Sequence, residues 1–215
     1  GIPVLVEKPL ADSVDEAQRL VSLAETNKAV LQVGHIERFN PAMIAARKAC
    51  GIPKYIRAER VSPFPFRSTD IGVVHDLLIH DIDLVLDLVR SPVRHVQAIG
   101  IQVVSNHEDI VNARLFFENG AIADLIASRV NPDAHRGLQV WSPLGCVNID
   151  LQAREVTSYS PSEALRYGRS PLELAGDPGA DIEQLKADIF GRFIEVNSEP
   201  VAEGDALTAE LQEFV

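Results

Sequence analysis

Two short apolar runs, Val4-Leu5-Val6 and Ala29 to Gly34, flank a stretch with helical spacing, so the chain opens as strand, helix, strand. Ser13 followed three residues later by Glu16 forms a capping box, and Val14, Ala17, Leu20, Val21 and Ala24 recur at helical intervals up to Asn27-Lys28. A βαβ unit of this kind joins parallel strands by a right-handed crossover, which puts the carboxyl ends of both strands on one rim of the sheet. That rim carries Glu7-Lys8-Pro9 after the first strand and His35 after the second. Open α/β sheets bind their ligands at this edge. The first strand begins almost at residue 1 with nothing ahead of it to pair with, and we therefore expect a preceding portion of the same sheet.

Beyond this unit the pattern changes. Asn40-Pro41 reads as a cap with proline at the first helical position and Gly51 as a stop, giving a helix over 41–50. Lys54 to Val61 reads as a strand, Pro63-Phe64-Pro65-Phe66 as a loop, and about Gly72 to Arg90 as a long helix. The period then becomes two over 94–104, 109–117, 121–130, 136–142, 146–151 and 154–159, with Glu118-Asn119-Gly120 as a hairpin turn. This predicts an antiparallel meander. Val111, Ala113, Leu115 and Phe117 form one apolar face of a strand whose other face, Ile110, Asn112, Arg114 and Phe116, is mixed. Helices are expected on the first face, and a partner subunit or solvent on the second. Residues 160–180 read as a long loop, followed by a helix near 181–197 and another from Asp205.

A chain of 215 residues, 46% hydrophobic, can bury a substantial core. Its formal net charge of -11 argues against nucleic acid and against acidic membrane surfaces as partners. Cys50 and Cys146 stand alone without a CxxC, so neither a disulfide framework nor a structural zinc site is expected. With no long apolar run and no signal peptide, the expectation is a cytoplasmic protein.

The most informative stretch is His75 to Asp83. At about 100° per residue, Asp76, His80, Asp83 and Asp87 fall within a narrow arc of a helix that is otherwise largely apolar. An Asp four residues before a His can hold the imidazole in one tautomer, as a general base requires. The same stripe also reads as a merely solvated face, or as a metal site of Asp76, His80 and Asp83. Lys8, fixed between a buried strand and a proline, places an ammonium at the rim, although lysines at strand ends are usually solvent-facing. Arg38 and Asn40 lie just beyond the second strand, and Asn40 is also explained as a helix cap.

Glu7-Lys8-Pro9, Gly34-His35-Ile36-Glu37-Arg38-Phe39-Asn40-Pro41 and Asp76-Leu77-Leu78-Ile79-His80-Asp81 resemble the EKP, GHxxRFxP and DxxxHD patterns of the Gfo/Idh/MocA oxidoreductases, the family of glucose-fructose oxidoreductase and inositol dehydrogenase. Val33 to Ala42, the region from Glu108 to Arg114, and Ala127-Ser128-Arg129-Val130 are similar to members that oxidise the 3-hydroxyl of UDP-N-acetylglucosamine. The resemblance implies an α/β (α+β) fold. Residues 1–36 would be the C-terminal part of a Rossmann domain. Residues 37–215 would be a glyceraldehyde-3-phosphate-dehydrogenase-like domain, with a large, mostly antiparallel open-faced sheet covered by helices on one side and free to form a homo-oligomer on the other.

It also implies an NAD- or NADP-dependent dehydrogenase that oxidises a secondary alcohol of a sugar, nucleotide sugar or cyclitol. His80 would take the hydroxyl proton, Asp76 would orient His80, and Lys8 would hydrogen-bond the reacting oxygen. Glu7, Lys8, Pro9, His35 and Arg38 would contact the cofactor; Lys8, Asn40, Asp76 and His80 would contact the substrate, with no metal ion. Family members often have a cis bond at the position of Lys8-Pro9. The departure is the glycine-rich GxGxxG turn that cradles the pyrophosphate, which none of the 13 glycines forms. Poor dinucleotide binding or none is therefore expected, which would leave this chain inactive or cofactor-deficient. A non-enzymatic binding or oligomerisation module is the alternative. Arg57, Arg60, Arg67, Arg136 and Arg166 are candidates to meet a substrate diphosphate, or are simply surface arginines.

Overall fold

A computed structural model describes residues 1–214. The opening βαβ unit is present: β1 (Val4–Glu7) and β2 (Leu31–Gly34) pair in parallel, Val4 opposite Leu31 and Glu7 opposite Gly34, joined by α1 (Val14–Thr26). The Ser13 side chain caps α1 by accepting from the Glu16 N–H. A 3₁₀ turn (Ile36–Phe39) leads into α2 (Pro41–Cys50), where Asn40 caps by accepting from the Ala42 N–H.

Eight strands form the second sheet: β3 (Tyr55–Val61), β4 (Val93–Ile101), β5 (Ile110–Phe117), β6 (Ile122–Ser128), β7 (His135–Ser142), β8 (Gly145–Asp150), β9 (Glu155–Pro161) and β10 (Ile194–Ser198). Their order is β10-β9-β8-β7-β3-β6-β5-β4. The expected meander is thus split, because β3 inserts between β6 and β7, parallel to the first and antiparallel to the second. Its helical crossover sends the chain to the far edge, and three antiparallel strands bring it back alongside. Side chains of one parity, including Ile56, Ala58, Val111, Ala113, Leu115, Phe117, Ala123, Leu125, Leu138 and Val140, are buried together. Against them lie Ala42, Met43 and Ala46 of α2, and Leu84, Val85 and Val89 of α3 (Ile79–Val89). The opposite parity forms the open face, where Tyr55 and Trp141 rings meet at 5.2 Å and Arg114 forks onto Asp124.

Two other expectations are corrected. The helix near 181–197 ends early: α6 (Ile182–Asp188) breaks at Gly191, whose φ of +99° no helix accommodates, and the chain turns into β10. The loop of 160–180 contains two one-turn helices, α4 (Glu163–Tyr167) and α5 (Pro171–Ala175), each begun by a serine cap. The last helix, α7 (Ala206–Phe214), returns to contact the 3₁₀ turn after β2. Among the described residues no helix is long and apolar enough to cross a membrane.

Candidate active site

Four segments converge at the carboxyl rim of the small sheet: the ends of β1 and β2, the end of β3, and the start of the helix around His80. That helix is not a regular α-helix throughout. Val74–Leu78 is a π-turn, and α3 follows it. A π-turn holds one residue more than an α-turn and so shifts the phase of Asp76 against the residues after it.

Lys8 is half-buried, and its Nζ donates to the carbonyls of His75 at 3.2 Å and Asp76 at 2.8 Å. Its pKa is lowered, mainly by burial, with the Asp76 carboxylate opposing the shift. The Lys8–Pro9 peptide is cis. Glu7 is exposed and lies over Gly34, where an added Cβ would come within 3.3 Å of the Glu7 carboxylate.

His80 is largely buried and its Nδ1 has no hydrogen-bond partner among the described residues. Burial, then the cations Arg60 and Lys8, push its pKa down to about 3, so the ring is neutral at physiological pH. The expected hydrogen bond from this imidazole to the Asp76 carboxylate is not formed. Asp76 instead contributes its main-chain oxygen and its charge to Lys8.

Beneath His80 lies an ion network that the sequence reading had not assembled. Arg60 is buried at 3% exposure; it contacts both carboxylate oxygens of Asp81 at 2.8–3.1 Å and donates to Glu37 at 2.8 Å. Burial alone would lower the Arg60 pKa, but the two carboxylates raise it. Arg60 is consequently no diphosphate ligand: both acceptors are already in place. The available signal was parity, since Arg60 continues the inward series Ile56, Ala58, and an inward charge needs inward partners.

The remaining acidic stripe is also engaged. Arg38 forks onto Asp83 through two bonds of 2.7 Å, and Arg47 pairs with Asp87. His35 Nε2 stands 3.7 Å from Asp83, while its Nδ1 is buried and unpartnered. Asp83 is thus engaged by Arg38 rather than free to join Asp76 and His80, and among the described residues no group of three or more metal-type ligands is assembled. Arg38 is committed to Asp83, with a raised pKa from that hydrogen bond. Asn40, expected at the substrate, is spent as a cap: it also donates to Glu37 and to the Leu151 carbonyl.

Comparisons with known proteins place the chain in a family. Residues 1–35 match the model of an oxidoreductase family with an NAD-binding Rossmann fold, and residues 44–146 match the GFO/IDH/MocA C-terminal domain. The chain belongs to the Gfo/Idh/MocA family of oxidoreductases. The curated UDP-N-acetylglucosamine 3-dehydrogenase of Acidithiobacillus ferrooxidans is 32% identical over 216 residues, the whole of this chain and 62% of that protein. The structure of this enzyme superposes with a TM-score of 0.80 over 99% of this chain and 61% of its own. The NAD(+)-dependent scyllo-inositol 2-dehydrogenase of Bacillus subtilis is 28% identical over 63% of this chain and 44% of its own length. The chain thus spans less than two thirds of these relatives.

Proposed function

We propose that this chain carries the substrate-binding and proton-transfer half of a dehydrogenase moving a hydride between NAD(P) and a secondary alcohol of a sugar, nucleotide sugar or cyclitol. The observation that carries the reading is the pairing, at one sheet rim, of a half-buried ammonium on Lys8 with a neutral, largely buried imidazole on His80. Oxidising an alcohol releases a proton and builds negative charge on the oxygen; Lys8 stabilises that charge and His80 receives the proton. Asp76 acts through Lys8, and the Arg60-Asp81-Glu37 network fixes the floor on which His80 stands.

The nicotinamide end of a dinucleotide fits this rim. The orphaned His35 Nδ1 and the Lys8 ammonium are polar groups that ribose hydroxyls would satisfy, with Glu7 and Pro9 beside them. When bound, the cofactor supplies the hydride acceptor. Division into 1–36 and 37–215 belongs to the same proposal, as does a homo-oligomer formed through the open sheet face, where Ile99 is 62% exposed beside Arg57 and Asn112.

The test is turnover of UDP-N-acetylglucosamine and scyllo-inositol at saturating NAD+ or NADP+, after calorimetric titration with NADH. Weak NADH binding is expected, with slow turnover that Lys8→Met and His80→Gln each abolish. A folded chain that turns over neither substrate would favour the binding-module reading.

A further inference from the structure

The five arginines that could meet a diphosphate do not remain equivalent in the fold. Arg57 pairs with Glu59, Arg60 is consumed by Asp81 and Glu37, and Arg166 donates to the Pro161 carbonyl. Arg67 and Arg136 are exposed and make no side-chain hydrogen bond or ion pair among the described residues. Arg136 stands opposite Arg60 in the β3–β7 register, and its parity, shared with Leu138 and Val140, puts it on the face that carries the site. Arg67 lies in the loop that joins β3 to the π-turn whose carbonyls hold Lys8. Its charge is felt at Lys8, as that of Arg136 is at Asp81.

That loop is held in a costly shape. Phe66 and Ser68, on either side of Arg67, have φ of +53° and +50°, a region that side chains other than glycine avoid. The fully buried Arg129 keeps them there. It donates to the Ser68 and Ile71 carbonyls at 3.0 Å, to Asp109 at 2.9 Å and to Ser105, while its guanidinium lies 5.6 Å from the Phe64 ring. Phe64 meets Phe66 edge to face at 5.1 Å, leaving the Phe66 ring 86% exposed. A strained, braced loop that presents a flat ring and an adjacent cation is organised for a ligand outside the chain.

We propose that Arg67, Arg136 and Phe66 form a nucleoside-diphosphate subsite next to the reaction centre, the guanidiniums receiving the phosphates and the ring stacking on the base. The inference rests on the dehydrogenase reading and narrows its substrate to nucleotide sugars. Arginine forks match phosphate oxygens, and an exposed aromatic face accepts any base. A plain cyclitol would leave all three side chains unused.

Calorimetric titration of the 215-residue chain with UDP-N-acetylglucosamine, UDP and N-acetylglucosamine tests this. The intact chain is expected to bind both nucleotides more tightly than the plain sugar. Arg67→Gln and Arg136→Gln should each weaken the nucleotides at least tenfold and leave the sugar unchanged; Phe66→Ser should weaken UDP but not inorganic pyrophosphate. All three positions are exposed, and a thermal melt verifies that each variant is folded. Unchanged UDP affinity in the arginine variants overturns the subsite. Binding of N-acetylglucosamine or scyllo-inositol without binding of UDP overturns it while leaving the dehydrogenase reading in place. Failure to bind any of them overturns both.

Discussion

At the scale of single residues, the site is governed by which charges are buried and what answers them. Removing Arg60 leaves Asp81 and Glu37 facing each other without a counter-charge, so Arg60→Met should cost about 3–5 kcal/mol in urea unfolding. His80 ties stability to pH. Its folded pKa lies near 3 against an ordinary 6.5, so between these values the unfolded chain binds more protons and stability falls as pH falls. The slope from this group is at most about 1.4 kcal/mol per pH unit, and His80→Gln should remove it. Glu210 of α7 acts in the opposite sense. Both its carboxylate oxygens are buried without a partner among the described residues, and burial, then Glu7, raises its pKa. Above its ordinary pKa it therefore loses stability with rising pH, and Glu210→Leu should stabilise the chain by roughly 1–3 kcal/mol at pH 7, measured by thermal melting. Of the candidate site, the gathering of Lys8, His80 and His35 at one rim was legible from the motifs. The roles of Arg60, Glu37 and Asp81 were not, because an ion pair between strand and helix leaves no spacing signature.

At the scale of elements, local chemistry decided most boundaries. Ser13 and Asn40 start helices where capping physics puts them, and the Asn119-Gly120 turn closes its hairpin with Gly120 at φ +83°. The π-turn was not legible: its sequence is indistinguishable from that of a buried α-helix, and only tertiary contacts widen it. It displaced Asp76 from His80 and gave its carbonyls to Lys8. A glycine carries comparable weight at the β7–β8 hairpin. Gly145 has φ +129° and approaches the Tyr159 carbonyl so closely that a Cβ has no room. Gly145→Ala should cost more than about 3 kcal/mol in urea unfolding, since strained backbone and a clash with main chain add.

At the scale of the whole molecule, the period-two pattern foretold the large sheet and its buried parity but not its strand order. A crossover inserts β3 between strands that are neighbours in sequence, and non-local pairing of this kind leaves no local trace. Strand β4 is exposed along its whole length, and the open face beside it is half apolar. Ile99→Asp should lower the mass measured by light scattering if this face joins copies of the chain, and leave the fold intact. In the proposed reaction a neutral His80 beside Lys8 meets the substrate alcohol. This step is tested by nitrogen NMR of the histidine rings, assigned with His80→Gln, across pH and on addition of UDP-N-acetylglucosamine. His80 is expected to stay neutral down to at least about pH 5, and its ring signals are expected to shift when the sugar nucleotide binds. A His80 that titrates near its ordinary value and ignores the bound ligand would contradict it.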